Sequence, residues 1–295
     1  MHPVETLRQA DNLIEDERVE DAISLLKQFL NDRDNPHIWW KLARALTIVG
    51  EEILARSILR NVILKLPDPH ILDIIAARIP VGRPHVFDDL KMIYFSIPKC
   101  GSSTIKDAFL ISRGEEPRGE ISHQHTHPFT KVLAFAEVYS RFSSYHIFTV
   151  VRPPRARLRS YWTKNVREAQ SLKEEANGKD TFYGLRTVPS YAEVVENFHR
   201  YRSVFRDFRH HTDSLIGFTG ADISGLSRIY GMSEINEAIA EIADRSKIAI
   251  PEIQNMKSER SSFALDTRAE QLEADVISGF YETETQTFFG QEMNP

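Results

Sequence analysis

The sequence lacks the features that define several large classes of protein. Cys100 is the single cysteine among 295 residues, which excludes an internal disulfide framework. No uninterrupted apolar run approaches the roughly 20 residues that are needed to span a bilayer. The N-terminal segment is polar and acidic, without the basic and then apolar pattern of a signal peptide. Together these absences predict a soluble protein of the cytoplasm with no membrane span.

An excess of positive charge is also missing. Lysine and arginine number 37 against 42 aspartates and glutamates, so the formal net charge is −5. A chain of this charge has no overall attraction to nucleic acid or to an anionic membrane, and a polyanionic ligand would have to bind at a local basic site. The length suits a main domain accompanied by a smaller one.

Residues 1–80 are predicted to form successive helices whose pattern resembles the tetratricopeptide repeat. The spacing of that repeat is matched by Trp39, Leu42, Ala43, Leu46, Ala55, Leu59 and Pro67. About one repeat earlier, equivalent positions are occupied by Ala10, Leu13, Ala22, Leu26 and Phe29. Because such repeats need neighbours to bury their apolar faces, we expect this region to pack on the following domain, or to bind a protein partner or a second copy of the chain. The alternative is an ordinary helical appendage with a chance match.

Beyond a loop at residues 80–84, the pattern changes to strand, loop and helix. Two apolar, β-prone segments, 92–97 and 146–151, are each followed by a break and a helical segment. Apolar strands that alternate with helices indicate a parallel sheet covered on both faces. The predicted fold class is therefore α/β, a P-loop-like parallel sheet flanked by helices and preceded by a small all-α region. The predicted domains are residues 1–80 and 85–295, with further helices at 191–208, 233–244 and 268–280.

The first strand-to-helix junction, residues 98–104 (PKCGSST), predicts an anion site. N–H groups at the start of a helix lack intrahelical partners, and small residues let an oxyanion approach them. Lys99 adds a positive charge, and three hydroxyl side chains follow Gly101. A nucleotide-hydrolysing P-loop would carry its lysine directly after the last glycine, whereas Lys99 precedes Gly101 by two residues. The alternative is a serine-rich helix cap beside an exposed lysine.

The second strand-to-helix junction has the same order of strand, break and helix, and it also contains an arginine. Arg152 ends the predicted strand, and Ser160 follows eight residues later on the predicted helix. A planar guanidinium and a hydroxyl suit a terminal phosphate. The remaining arginines of this helix are predicted to lie on its solvated face; they are Arg155, Arg157 and Arg159.

These two segments, in this order, resemble the 5′-phosphosulfate loop (PKxGxT) and the 3′-phosphate motif (RDPxxRLxSxY) of carbohydrate-type (family 2) sulfotransferases. The resemblance extends over roughly residues 90–290, with Pro153 in place of the motif's acidic residue. It implies the donor 3′-phosphoadenosine 5′-phosphosulfate, the product adenosine 3′,5′-bisphosphate and no metal. The implied donor-binding residues are Lys99, Cys100, Gly101, Ser102, Ser103, Thr104, Arg152 and Ser160.

Three other features are interpreted through the resemblance. Cys100 is expected to be a tolerated small residue and not a nucleophile, since the family forms no covalent intermediate. Glu284 occupies the acidic position of the family's closing Y-x-x-D helix. Asn255 and Lys257 resemble a loop that family members place near the donor or acceptor.

Histidines at positions 123, 125 and 127 lie between the two motifs. Imidazole titrates near neutral pH, so it can take the proton of an attacking hydroxyl. The resemblance implies a catalytic base in this interval; His125 and His123 are the preferred candidates and His127 the third. Lys99 is expected to stabilise the developing charge. Alternatively, the three side chains could share one face of an extended strand and bind zinc, or form a plain surface loop.

The predicted function is transfer of a sulfuryl group to a hydroxyl acceptor by in-line attack. Carbohydrate acceptors are favoured by family analogy alone, and a lipid, a small metabolite or a peptide tyrosine are the alternatives. Two rival functions stay open. One is a P-loop kinase-like phosphotransferase that uses ATP, and the other is a catalytically inactive adaptor protein built on residues 1–80.

Overall fold

The computed structural model describes residues 3–30, 35–66, 70–117, 122–251 and 265–290. Its helices are α1 (Pro3–Glu15), α2 (Val19–Lys27), α3 (Pro36–Ile48), α4 (Glu52–Val62), α5 (Ile71–Ala77), α6 (Ser102–Ile111), α7 (Ser122–His125), α8 (Phe135–Arg141), α9 (Pro154–Tyr161), α10 (Ser171–Glu175), α11 (Tyr191–Glu196), α12 (Phe198–Val204), α13 (Arg206–Thr212), α14 (Ile216–Thr219), α15 (Ile235–Ser246), α16 (Thr267–Phe280) and α17 (Glu282–Phe289). Its strands are β1 (Val81–Gly82), β2 (His85–Phe87), β3 (Met92–Phe95), β4 (Leu133–Ala134), β5 (His146–Val151), β6 (Thr181–Phe182), β7 (Leu185–Arg186) and β8 (Arg228–Gly231). A π-helix, Trp162–Glu168, continues α9, and 3-10 turns occupy Ile63–Lys65, His127–Phe129 and Met232–Glu234.

The described residues form two compact units. The first combines the described residues up to 79 with residues 161–213 and 265–273, and the second contains residues 80–117, 122–160, 214–251 and 274–290. The predicted domain boundaries at residues 80 and 85 stay predictions. Within the described ranges, no helix is both long and apolar enough to cross a membrane.

The first unit is dominated by helices that pack through small residues. Ala43 on α3 and Ala55 on α4 are buried, and Gly50 turns the chain between these helices with a φ of 84°. The Arg44 guanidinium donates hydrogen bonds to the carbonyl oxygens of Ser203, at 3.3 Å, and Val204, at 2.6 Å. Helix α3 therefore packs on α12 within this unit. Their likeness to tetratricopeptide repeats stays a prediction, and Pro67 lies outside the described residues.

The second unit is built on a four-stranded sheet of order β2-β3-β5-β8. β3, β5 and β8 are parallel, with Phe95 opposite Thr149 and Val151 opposite Gly231. The predicted parallel sheet is thus present in these three strands, whereas β2 at one edge runs antiparallel to β3. Four residues join these two strands, and a connection this short can form only a hairpin, because a parallel pair needs a crossover of a dozen or more residues.

Both faces of this sheet are buried, which explains the apolar runs of β3 and β5. One face packs against α6 and α15, through the core cluster Phe87, Met92, Tyr94, Ile105, Ala108, Phe109, Phe148, Val150, Tyr230, Ile235, Ala238, Ile239 and Ile242. The opposite face packs against α8, through Val86, Ile93, Phe95, Phe135, Val138, Phe142 and Ile147. The mixed α/β architecture predicted for this part of the chain is confirmed.

Candidate functional site

The two predicted phosphate motifs meet at one edge of the sheet. β3 and β5 are parallel neighbours, so the chain leaves both strands on the same side. The loop after β3 carries Lys99, and Arg152 directly follows β5. Arg152 Nη1 donates a hydrogen bond to the carbonyl oxygen of Lys99 at 3.3 Å. Both side chains are half-buried, and this contact joins the two motifs.

The loop before α6 has a tight backbone. Lys99 and Gly101 have left-handed φ angles of 63° and 72°. A Cβ atom at Gly101 would lie 2.5 Å from Cδ1 of Ile235 on α15, so a side chain does not fit there without a shift. The Gly101 carbonyl oxygen accepts the N–H of Ile105 at 3.1 Å. α6 therefore begins directly after the glycine, and the N–H groups of its first turn lack intrahelical partners.

The small side chains on either side of Gly101 differ in exposure. Cys100 and Ser102 are buried, while Ser103 and Thr104 are half-buried. Burial raises the pKa of the Cys100 thiol to about 11. A thiol that stays protonated at neutral pH is a poor nucleophile, which agrees with a space-filling role for Cys100.

Among the three histidines, His123 forms hydrogen bonds with two side chains of α6. Its Nε2 lies 3.2 Å from Oγ of Ser103, and its Nδ1 lies 2.7 Å from Nζ of Lys106. His125 is half-buried at the end of α7. His127 Nε2 lies 3.2 Å from Nη2 of Arg83, at the start of a 3-10 turn.

His123 and His125 lie on the short helix α7 and not on the extended strand that the alternative of a zinc site required. Each residue of an α-helix is rotated by about 100° from the one before it, so side chains two apart do not share a face. The parts of the chain that the structure describes contain no group of three or more histidine, cysteine or acidic residues arranged to hold a metal ion.

Lys106 is a site residue that sequence reasoning missed. It lies three residues after Ser103 on α6, and only 5% of it is exposed. Burial lowers the pKa of Lys106 from 10.5 to about 7. His85 on β2 is buried nearby, and burial together with the charge of Lys106 holds the pKa of His85 well below its ordinary value. The available sequence signal was the i, i+3 spacing from Ser103, which places both side chains on one helix face.

The prediction that Arg157 lies on a solvated helix face is wrong. Arg157 is 1% exposed, and its Nη2 donates to both carboxylate oxygens of Glu284, at 3.0 and 3.1 Å. Glu284, which is fully buried, also accepts the N–H of Leu215 at 2.7 Å. A buried arginine requires such a partner, and this one lies on α17, far along the chain. The ion pair anchors α9, the helix that carries half-buried Ser160. Arg155, on the same helix, is exposed, as predicted.

The predicted site residues Asn255 and Lys257 lie outside the described residues.

No curated protein and no solved structure shows a significant match to the chain. A family model described as the Sulfotransferase family (Sulfotransfer_2) matches residues 84–288. The matched region is well over half of the chain and includes both strand-to-helix junctions, the histidines and Glu284. The chain therefore belongs to the sulfotransferase family.

Proposed function

We propose that the protein transfers a sulfuryl group from 3′-phosphoadenosine 5′-phosphosulfate to an acceptor hydroxyl by direct in-line attack. The observation that carries this proposal is the hydrogen bond between Arg152 and the Lys99 carbonyl, at the adjacent ends of β3 and β5. A nucleotide with phosphate groups at both its 5′ and 3′ positions requires two such anion sites close together. Carbohydrate hydroxyls are the acceptor class that family analogy favours.

The residues at this edge suit such a donor. The amides and hydroxyls of residues 101–104, together with Lys99, would hold the 5′-phosphosulfate. Arg152 and Ser160 would bind the 3′-phosphate. Gly101 has a positive φ, and a Cβ atom there would meet Ile235, so this tight loop requires glycine at that position. When bound, the donor supplies an activated sulfuryl group whose leaving group is adenosine 3′,5′-bisphosphate.

The chemistry required of the protein is modest. An imidazole accepts the proton of the acceptor hydroxyl as that oxygen attacks, and His123 is the candidate because of its contact with Ser103. Proton transfer of this kind contributes typically 10²–10⁴-fold to a rate. Lys99 and the loop donors stabilise the negative charge that develops during transfer.

Calorimetric titration with adenosine 3′,5′-bisphosphate, ADP and ATP tests the proposal. We expect binding that requires the 3′-phosphate and that falls at least about tenfold in Lys99→Ala and in Arg152→Ala, since each removes a charge-assisted contact. Arg155→Ala is the matched control, because Arg155 is exposed on the same helix as Ser160, and it should bind like the wild type. Preference for ATP with magnesium would instead indicate a phosphotransferase, and no nucleotide binding would indicate the inactive adaptor.

A further inference from the structure

The imidazole of His123 is held at both of its nitrogens by one helix face. Ser103 Oγ lies 3.2 Å from Nε2, and Lys106 Nζ lies 2.7 Å from Nδ1. Ser103 and Lys106 are three residues apart on α6 and therefore share a face. Within the described ranges, Lys106 has no carboxylate at salt-bridge distance. Its hydrogen bond to His123 is thus a lysine–imidazole contact, in which either nitrogen can be the donor.

We propose that Lys106 acts as a positioning residue whose neutral amine accepts the Nδ1–H of His123 and so makes Nε2 the nitrogen that takes the acceptor's proton. This proposal rests on the proposed sulfuryl transfer, since it assigns Nε2 a proton to accept.

The proposal follows from the two tautomers of a neutral imidazole, in which one nitrogen is a donor and the other an acceptor. If Lys106 is an ammonium group it can only donate, so Nδ1 must accept, and Nε2 then carries the hydrogen and cannot act as a base. If Lys106 is a neutral amine, its lone pair accepts Nδ1–H, and the lone pair of Nε2 is available. The protonation state of Lys106 therefore selects the tautomer of His123.

The surroundings of Lys106 favour the neutral amine near neutral pH. Burial lowers the pKa of Lys106 to about 7. His85 on β2 is close enough for the charge of Lys106 to act on it, and the other charged groups that act on His85 are His123 on α7, Arg83 and His127. α15, the other helix that packs on α6, contributes buried apolar side chains to their shared core.

The proton and electron balance of the step is simple. The acceptor O–H bond breaks, its proton passes to Nε2, and its electron pair forms the new O–S bond. The Nδ1 proton moves to the lone pair of Lys106, which becomes an ammonium group, and the imidazole is again neutral. The bond between sulfur and the bridging oxygen breaks, and its electrons stay on the 5′-phosphate of adenosine 3′,5′-bisphosphate. Lys106 then releases its proton to solvent.

The tautomer can be observed without any enzymatic assay, by ¹⁵N NMR of the protein labelled at its 11 histidines, with the His123 signals assigned from His123→Gln. In the wild type, we expect His123 to carry hydrogen on Nδ1 at pH 8.5 and to lose that preference as the pH falls below 7. In Lys106→Arg, the permanently charged guanidinium can only donate, so His123 should carry hydrogen on Nε2 across the whole range. A wild-type His123 that keeps hydrogen on Nε2 at pH 8.5 would overturn the proposal.

Kinetics provide the second measurement. Lys106→Arg carries a permanent positive charge and cannot accept a proton, and Lys106→Met keeps the length without a lone pair. We expect both to lower kcat about 10²-fold, within the range of a general base, with affinity for adenosine 3′,5′-bisphosphate unchanged within about twofold. That binding also reports that the variants are folded. Exposed Lys131 provides the control Lys131→Arg, which should behave as the wild type.

The outcomes separate the two proposals. Full activity in Lys106→Arg would overturn the role of Lys106, because charge alone would then be sufficient. If wild-type protein binds no adenosine 3′,5′-bisphosphate, the proposed function fails and the catalytic use of the pair fails with it, whatever the tautomer. Both proposals would be supported if the wild type binds adenosine 3′,5′-bisphosphate and if the tautomer of His123 depends on pH in the wild type but not in Lys106→Arg.

Discussion

At the scale of single residues, hydrogen bonds distinguish His123 from His125. His123 contacts Ser103 on α6, whereas His125 ends α7 two residues later. His123→Gln is expected to lower kcat by about 10²–10⁴-fold, the usual contribution of a general base, while His125→Gln should change it by less than about fivefold. The measurement is release of adenosine 3′,5′-bisphosphate in the presence of a screened carbohydrate acceptor. A larger loss in His125→Gln would make His125 the base.

Buried Lys106 also predicts a dependence of stability on pH. The folded state binds the Lys106 proton only below about pH 7, whereas the unfolded state binds it below about 10.5. Between these values the unfolded state holds more protons, so the free energy of unfolding rises with pH. The penalty is complete below pH 7 and absent above 10.5. At 1.36 kcal/mol per pKa unit, it amounts to about 3–5 kcal/mol.

Denaturant unfolding of the wild type and Lys106→Met across this pH range measures that penalty. We expect the stability of Lys106→Met relative to wild type to be greatest near pH 7 and to decline as the pH rises toward 10.5. Lys131→Met controls for the loss of an exposed lysine. A stability difference that does not vary with pH would show that the pKa of Lys106 is not lowered by folding.

At the scale of elements, the junction between β3 and α6 depends on Gly101. Gly101→Ala would strain a residue at φ 72° and bring a methyl group 2.5 Å from Cδ1 of Ile235. The left-handed conformation costs an L-residue about 1–2 kcal/mol, and the contact adds to that cost. We therefore expect a loss of about 2–4 kcal/mol in unfolding free energy and at least tenfold weaker binding of adenosine 3′,5′-bisphosphate.

Gly114→Ala is a matched control for this change. Gly114 has nearly the same φ, 77°, but a Cβ atom added there would meet no other atom within 4 Å. Gly114→Ala should lower the free energy of unfolding only by the cost of the left-handed conformation, and it should leave nucleotide binding unchanged. Equal effects of the two substitutions on binding would contradict a specific role for the tight loop.

Regular elements were predictable where a local pattern determines them. The predicted strand 146–151 is β5, and the predicted helix after residue 103 lies within α6. The predicted helix over 191–208 is instead divided into α11, α12 and α13. No proline or glycine marks these breaks. The second break accompanies contacts with a more distant part of the chain: the Glu175 carboxylate accepts the N–H groups of Arg206 and Asp207 at 2.7 and 3.0 Å. A periodic pattern does not encode such contacts.

At the scale of the whole molecule, the ion pair of Arg157 with Glu284 joins distant parts of the second unit. Removing one partner of a buried pair leaves an uncompensated charge and costs about 3–5 kcal/mol. Glu284→Gln should therefore lower the free energy of unfolding by an amount near this range, measured by denaturant titration. Glu282→Gln, on the exposed side of α17, should change it by less than about 0.5 kcal/mol. A small effect of Glu284→Gln would mean that Arg157 finds another partner.

The sequence by itself determined the α/β class, the two strand-to-helix junctions and the candidate donor-binding residues. These features depend on neighbouring residues: apolar runs that specify buried strands, and small residues before a helix. Only the tertiary structure decided that Arg157 is buried, that His123 contacts Ser103, and that Lys106 lies beside His123. Arg157 and Glu284 are 127 residues apart in the chain. No local pattern reveals such a pair, because a charged side chain on a helix is exposed or buried according to what the rest of the fold places against it.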